Sequence, residues 1–197
     1  MRRKQPSAVA GLPSSSVFLV GFMGAGKSSV GRALGERLNW VFEDLDNRIE
    51  AREGRTVAEI FRDSGESEFR RAEYAALQQI FQELRGGVSM IVALGGGTFA
   101  QGATHKAIQD SGVPTVFLDA PLPELWQRCA QQLEAKRPLM TSQTRFRETH
   151  KARLPYYETA SWRIDTAGKK VDVIAAEIAA KLKLKEIALR TEEGEVE

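Results

Sequence analysis

Residues 17–31 read Val-Phe-Leu-Val-Gly-Phe-Met-Gly-Ala-Gly-Lys-Ser-Ser-Val-Gly, and this stretch decides the fold. Its first four residues form a short apolar run, which predicts a buried strand. The segment after the glycine-rich turn carries apolar side chains at three- and four-residue spacings, which predicts a helix: Val30, Ala33, Leu34 and Leu38. A strand, a turn of the form G-x-x-x-x-G-K-[ST] and a helix together make the sequence pattern of a P-loop.

This phosphate turn, residues 21–28, predicts a site for a nucleoside triphosphate. Glycines permit backbone conformations that a Cβ opposes, so that consecutive N–H groups can point at phosphate oxygens. The positive end of the helix dipole faces the same point. We expect Lys27 to bridge the β- and γ-phosphates and Ser28 to offer its hydroxyl to Mg²⁺. The candidate nucleotide-binding residues here are Gly24, Ala25, Gly26, Lys27, Ser28 and Ser29.

The composition limits the class of protein. A chain of 197 residues with 42% hydrophobic and 27% charged residues is typical of one globular domain. A formal net charge of +2 does not argue for nucleic acid, and no apolar run approaches the ~18 residues of a membrane span. The single cysteine, Cys129, excludes an intrachain disulfide and favours a reducing compartment. We therefore expect a cytoplasmic monomer that binds neither nucleic acid nor membrane.

Strands and helices alternate along the chain. Further apolar runs predict strands at 40–42, 90–94, 113–118 and 162–164, with helical patterns between them. This alternation implies parallel strands with right-handed crossovers, hence an α/β protein with a doubly wound five-stranded sheet in one domain, residues 17–184. Residues 1–16 are expected to be a disordered leader, and residues 185–197 a C-terminal tail. Ligands of such sheets bind at the carboxyl ends of strands.

Carboxylates follow two of the predicted strands. Asp44 and Asp46 come two residues apart at the end of the second strand. One of them can order Mg²⁺ and the other can take a proton from an acceptor hydroxyl, although a strand end of this kind can also simply cap the next helix. Asp119, which ends the fourth strand, is the rival candidate for the metal. The Ala-Pro pair after Asp119 fits a capping role at least as well, so Asp44 is favoured.

Arginines supply the remaining candidates. Residues 133–147 lack apolar periodicity and are rich in basic side chains, which is typical of a mobile lid or of a solvated face. Within them, Arg137 is suited to stabilise charge on a transferring phosphoryl group. Arg70 and Arg153 lie on two separate predicted helices, and arginines can bind carboxylate or phosphate through two parallel hydrogen bonds. These residues predict an anionic acceptor without identifying it.

Six stretches in this order resemble the shikimate kinases, over nearly the whole of residues 17–182. The P-loop alone is shared by very many enzymes, whereas the five further stretches make the resemblance specific. The stretches are GFMGAGKSSVG (21–31), FEDLD (42–46) with IE (49–50), GE (65–66) with EFRR (68–71) and Glu73, LGGG (94–97), RPL (137–139) and RLPYY (153–157).

The resemblance implies a nucleoside monophosphate kinase-like three-layer α/β/α fold with substrate-binding helices at about 47–84 and a lid at about 133–147. It implies ATP- and Mg²⁺-dependent phosphorylation of the 3-hydroxyl of shikimate, a step in chorismate and aromatic amino acid biosynthesis. In that family the first aspartate, here Asp44, supports Mg²⁺, and the second, here Asp46, holds the acceptor hydroxyls.

The resemblance also implies roles for the basic and glycine residues. The carboxylate of shikimate would lie between Arg70 and Arg153, with Gly95, Gly96 and Gly97 beside the ring. The catalytic residues implied are Lys27, Asp46 and Arg137, the last of which also reaches the phosphates. Arg128 is a candidate for stacking on adenine. Leu45 departs from the family pattern, which usually has a small polar residue between the aspartates.

Two other functions compete with this interpretation. Another P-loop small-molecule kinase, such as a gluconate kinase, would not require both Arg70 and Arg153. A GTPase-type switch would need an Asn-Lys-x-Asp motif for guanine, and the sequence has none.

Overall fold

The computed structural model describes residues 15–131 and 142–184. Five parallel strands form one sheet in the order β2-β3-β1-β4-β5. The strands are β1 (Ser16–Val20), β2 (Val41–Asp44), β3 (Met90–Ala93), β4 (Thr115–Asp119) and β5 (Trp162–Asp165). The helices are α1 (Lys27–Leu38), α2 (Leu45–Glu53), α3 (Val57–Arg85), α4 (Gly102–Asp110), α5 (Leu122–Gln131), α6 (Gln143–Tyr157) and α7 (Val171–Lys181), with a 3₁₀ turn at Thr98–Ala100.

The central strand β1 carries the phosphate turn at its carboxyl end. Every residue of β1 is buried, and β1 pairs with β3 on one side and β4 on the other. Its apolar side chains meet those of the surrounding helices, including Val30, Leu34 and Leu38 of α1, all at most 1% exposed. The predicted fold class, an α/β protein with a five-stranded parallel sheet, is confirmed.

Several element boundaries differ from those expected, and two of them concern the start of β1 and the start of α2. Ser16, which the sequence analysis placed in the leader, is the first residue of β1 and pairs with Met90. Helix α2 begins at Leu45 rather than near Asn47, because the carboxylate of Asp44 caps it by accepting a hydrogen bond from the Asp46 backbone N–H at 3.1 Å. The chain therefore passes from β2 into α2 with no intervening turn.

Helix α3 begins with a capping box formed by Thr56 and Glu59. The Glu59 N–H donates to the Thr56 hydroxyl at 3.2 Å, and the Thr56 N–H donates to the Glu59 carboxylate at 2.8 Å. The helix is kinked at Gly65, which has φ 79° and ψ 177°. Beyond the kink, one face of the helix is buried: Phe69, Ala72, Ala76, Leu77, Ile80, Phe81 and Leu84.

The predicted lid lies largely outside the described residues, as do most of the predicted leader and tail. Residues 143–147, which the sequence analysis included in the lid, form the first turn of α6. Ser142 caps this turn by accepting a hydrogen bond from the Arg145 N–H at 3.1 Å. Within the described ranges no helix is long and apolar enough to cross a membrane.

Candidate functional site

The phosphate turn joins β1 to the N-terminus of α1. Gly26 precedes the helix with φ 87°, a left-handed conformation that favours glycine. The ammonium of Lys27 donates hydrogen bonds to the carbonyl oxygens of Gly21 at 2.9 Å and Phe22 at 3.1 Å. The side chain of Lys27 is thereby held against the turn, at the end of the helix where phosphate is expected.

Helix α5 packs against this turn. A Cβ on Gly24 would lie 2.7 Å from the Leu125 carbonyl oxygen and 2.9 Å from the Cys129 sulfur, so this close approach requires glycine. Cys129 is buried beneath the turn, which agrees with a packing role rather than a nucleophilic one. Arg128 lies beside the turn, where its guanidinium donates to the Gly24 carbonyl at 3.5 Å and pairs with Glu124 at 2.8 Å.

Ser28 and Asp44 meet at the edge of the turn. The Ser28 hydroxyl donates to the Asp44 carboxylate at 2.6 Å. Mg²⁺ is usually held by one or two carboxylate or hydroxyl oxygens together with waters and substrate phosphates. The donor set fits this ion, and in the described part of the chain no group of three or more His, Cys, Asp or Glu side chains forms an alternative metal cluster.

Asp119, the rival candidate for the metal, is engaged elsewhere. Its carboxylate accepts a hydrogen bond from Arg163 Nε of β5 at 3.0 Å and forms an ion pair with the same guanidinium. This hydrogen-bonded pairing raises the pKa of Arg163. The pair borders a cleft of about 460 Å³ between the ends of β4 and β5. The geometry thus leaves Asp44, rather than Asp119, beside Ser28.

Three of the predicted acceptor-binding side chains meet around residues 95–97, and we call this arrangement the acceptor site. A Cβ on Gly97 would lie 3.2 Å from Arg153 Nη2 and 3.3 Å from Arg70 Nη2. A Cβ on Gly95 would lie 2.8 Å from the Asp46 carboxylate. Two guanidinium groups and one carboxylate therefore converge on the backbone of three consecutive glycines.

Two glutamates orient Arg70. Glu66 accepts from Arg70 Nη2 at 2.9 Å, and Glu73 accepts from Nη1 at 3.1 Å. Glu73 is 1% exposed, and its second oxygen accepts from the Thr98 hydroxyl at 2.5 Å. No role was predicted for Glu73 or Thr98. The available signal was a charged residue next to Ala72 on the apolar face of α3.

Tyr157 also binds residues 95–97, which we call the glycine segment. Its hydroxyl donates to the Gly96 carbonyl, and its ring stacks on Phe117 of β4 with centroids 5.4 Å apart. Burial raises the pKa of Tyr157 to about 12, against the lowering effect of the Arg153 charge, so the phenol remains a hydrogen-bond donor. Tyr157 lies four residues after Arg153 on α6 and was not predicted to act here.

Arg137, together with the rest of the RPL stretch, lies outside the described residues. Its predicted role at the phosphates, and that of Arg128 at adenine, stay predictions. The remaining predicted residues lie in two adjoining groups: Gly24, Ala25, Gly26, Lys27, Ser28, Ser29 and Asp44 at the phosphate turn, and Asp46, Arg70, Gly95, Gly96, Gly97 and Arg153 at the acceptor site.

Comparison with known proteins identifies close relatives. A family model described as shikimate kinase matches residues 23–183. A shikimate kinase from Thermus thermophilus is 39% identical over 173 residues, which cover 86% of this chain and 91% of the relative. The structure of shikimate kinase from Acinetobacter baumannii in complex with shikimate has a TM-score of 0.77 and 32% identity, and the match covers 88% of this chain and 99% of that one.

The alternative kinase class is more distant. A gluconokinase from Sinorhizobium meliloti has a TM-score of 0.56 and 19% identity, and the match covers 86% of this chain and 92% of that one. At this identity the likeness concerns the fold alone.

Proposed function

Because the chain belongs to the shikimate kinase family, we propose that it transfers the γ-phosphoryl group of ATP to the 3-hydroxyl of shikimate. The products are shikimate 3-phosphate and ADP, and the step serves chorismate and aromatic amino acid biosynthesis. The observation that carries the proposal is the convergence of Arg70 and Arg153 on Gly97, at 3.3 and 3.2 Å from its ideal Cβ position.

The acceptor site matches the chemistry of a hydroxy acid. Two guanidiniums can hold one carboxylate through charge-assisted hydrogen bonds. Asp46, which contacts the other end of the glycine segment, can accept a hydrogen bond from the hydroxyl and take its proton as the phosphoryl group arrives. A neutral polyol would offer these two guanidiniums no carboxylate to bind.

At the phosphate turn, Lys27 would move from the carbonyls of Gly21 and Phe22 to the phosphate oxygens and stabilise their charge. The backbone N–H groups of the turn would hold the β-phosphate. Ser28 and Asp44 would hold Mg²⁺, which supplies positive charge at the phosphate oxygens when bound. Arg137 would approach the transferring group from the lid and exclude water as the lid closes.

We further propose that the protein acts as a monomer in the cytoplasm. The acceptor groups Asp46, Arg70 and Arg153 all come from one chain, so the site needs no second copy to supply them. The single cysteine of the sequence is buried and forms no disulfide, which suits a reducing compartment.

The test is an assay of ADP release with shikimate, quinate, gluconate and nucleoside monophosphates as acceptors, with phosphorus NMR to locate the phosphate. We expect shikimate to give the highest kcat/KM and a 3-phosphate product. Arg70→Ala should raise the KM for shikimate strongly. Its matched control is Arg71→Ala, since Arg71 is 77% exposed and pairs only with Glu68 among the described residues. Turnover of gluconate but not of shikimate would overturn the proposal.

A further inference from the structure

The side chain of Phe22 has no part in the chemistry above, although Phe22 belongs to the phosphate turn. The residue is 1% exposed. Its backbone carbonyl accepts the hydrogen bond from Lys27 Nζ at 3.1 Å. A change in the hydrogen bonds of Lys27 therefore acts on Phe22, whose aromatic ring lies in the protein interior.

The ring of Phe22 rests against three side chains of α6. Phe146 meets it edge-to-face with ring centroids 4.9 Å apart, and His150 does so at 5.1 Å. The guanidinium carbon of Arg153 lies 5.9 Å from the centroid of the Phe22 ring. Positions 146, 150 and 153 follow one another at spacings of four and three, so they form one stripe along the helix.

The same stripe is joined to α5. Phe146 contacts Trp126 of α5 edge-to-face, with ring centroids 5.1 Å apart. The phosphate turn, α5 and α6 thus share one aromatic cluster, which we define as Phe22, Trp126, Phe146 and His150. Because protein interiors are close-packed, a displacement of the central ring moves its neighbours rather than being absorbed.

We propose that Phe22 is a positioning residue that couples occupation of the phosphate turn to the orientation of Arg153 in the acceptor site. Phosphate draws Lys27 Nζ away from the Phe22 carbonyl, the Phe22 backbone settles in a new position, and its ring shifts the α6 stripe that ends in Arg153. Each substrate then raises the affinity of the other. This inference rests on the proposed function, since it requires nucleotide and acceptor to bind to the same chain.

The coupling is measurable because it must be reciprocal. If nucleotide strengthens shikimate binding by some factor, shikimate strengthens nucleotide binding by the same factor, typically about 5- to 150-fold between coupled sites. A ring that only fills space would change the stability of the fold without changing this factor. The factor therefore separates a positioning role from a structural one.

The experiment is calorimetric titration of shikimate, with and without saturating Mg²⁺ and a non-hydrolysable ATP analogue. In wild type we expect the analogue to lower the shikimate Kd at least about fivefold. Phe22→Leu should reduce that factor to below about twofold and should raise the KM for shikimate more than it lowers kcat. The matched control is Phe18→Leu in β1. Phe18 is 0% exposed and its ring contacts Phe81 of α3, so this variant should keep the wild-type factor.

A second variant changes the α6 side of the contact between Phe22 and Phe146. Phe146→Leu leaves the turn intact and should also lose the coupling, and the double variant should lose no more than Phe22→Leu alone, because both act through one contact. If Phe22→Leu does not fold, Phe146→Leu decides. An uncoupled wild type, or full coupling in the folded variants, overturns the inference. Neither outcome contradicts the proposed function. The proposed function fails only if the wild type does not phosphorylate shikimate.

Discussion

Arg70 lies between two glutamates that differ sharply in burial. Replacing each in turn tests whether the buried one positions Arg70 in the acceptor site. The side chain of Glu73 is 1% exposed, whereas that of Glu66 is 66% exposed. In Glu73→Gln the amide oxygen can still accept the hydrogen bond from Thr98. The amide nitrogen then faces Arg70 Nη1, which lies 3.1 Å from the oxygen it replaces, so two donors oppose each other.

The expected cost follows from the buried hydrogen bond that is lost. A hydrogen bond to a charged group contributes about 1.5–3 kcal/mol, so we expect a loss of about 2 kcal/mol in the free energy of unfolding. For a domain of this size that corresponds to a fall in Tm of about 4–8 °C. Arg70 also loses the partner that orients it, and a tenfold rise in the KM for shikimate would represent about 1.4 kcal/mol of lost binding.

Thermal denaturation followed by circular dichroism and steady-state kinetics measure the two effects. The matched control is Glu66→Gln, which removes the exposed partner of the same arginine and should cost only about 0–1 kcal/mol. If both variants have the same Tm and the same KM, burial of Glu73 does not govern the position of Arg70, and the reasoning is refuted.

Four further predictions concern Gly97, Asp44, His150 and Arg137. Gly97→Ala should raise the KM for shikimate about tenfold with little change in Tm, because its methyl group would lie 3.2 and 3.3 Å from the guanidiniums of Arg153 and Arg70, which would have to shift by a few tenths of an ångström; an unchanged KM would show that the acceptor does not bind there. Asp44→Asn should raise the Mg²⁺ concentration needed for half-maximal activity, and a shift seen only in Asp119→Asn would transfer the metal role. Burial lowers the pKa of His150 below its ordinary 6.5, so the contribution of His150 to the free energy of unfolding is fully present above that pH and is lost as the pH falls below it; His150→Leu should remove this component of the pH dependence in urea denaturation, and an unaltered profile would contradict it. Arg137→Ala should lower kcat more than it raises KM, with partial rescue by lysine, and normal turnover would exclude Arg137 from the mechanism.

The phosphate turn, the aspartates and the glycine segment could be predicted because each is a local feature at the end of a strand. Parallel strands bring their carboxyl ends to one edge of the sheet whatever their order. The order itself depends on long-range packing, so the alternation of elements predicted parallel pairing but not the central place of β1. The early start of α6 was missed because only Phe146 and Tyr157 are buried in this 15-residue helix, which makes its apolar period weak.

The contacts of Arg70 could not be predicted from local sequence patterns. The kink at Gly65 changes the phase of α3, so the helical period before it does not predict which way Arg70 points. A glutamate such as Glu73 usually lies on a solvated face, and its burial depends on partners from another element. The hydrogen bond from Tyr157 to Gly96 joins residues 61 positions apart, beyond the reach of any local pattern.

The order of the strands places the phosphate turn and the glycine segment side by side. The phosphate turn follows β1 and the glycine segment follows β3, and Leu19 pairs with Ala93 in parallel register, so both loops leave the sheet at the same height. Hydrogen-bonded strands lie about 4.8 Å apart, a spacing that depends on backbone hydrogen bonds and not on side chains. The spacing of the two loops where they leave the sheet is therefore insensitive to side-chain substitution. Arg70 of α3 and Arg153 of α6, the residues proposed to bind the acceptor, could be replaced while that spacing stays constant.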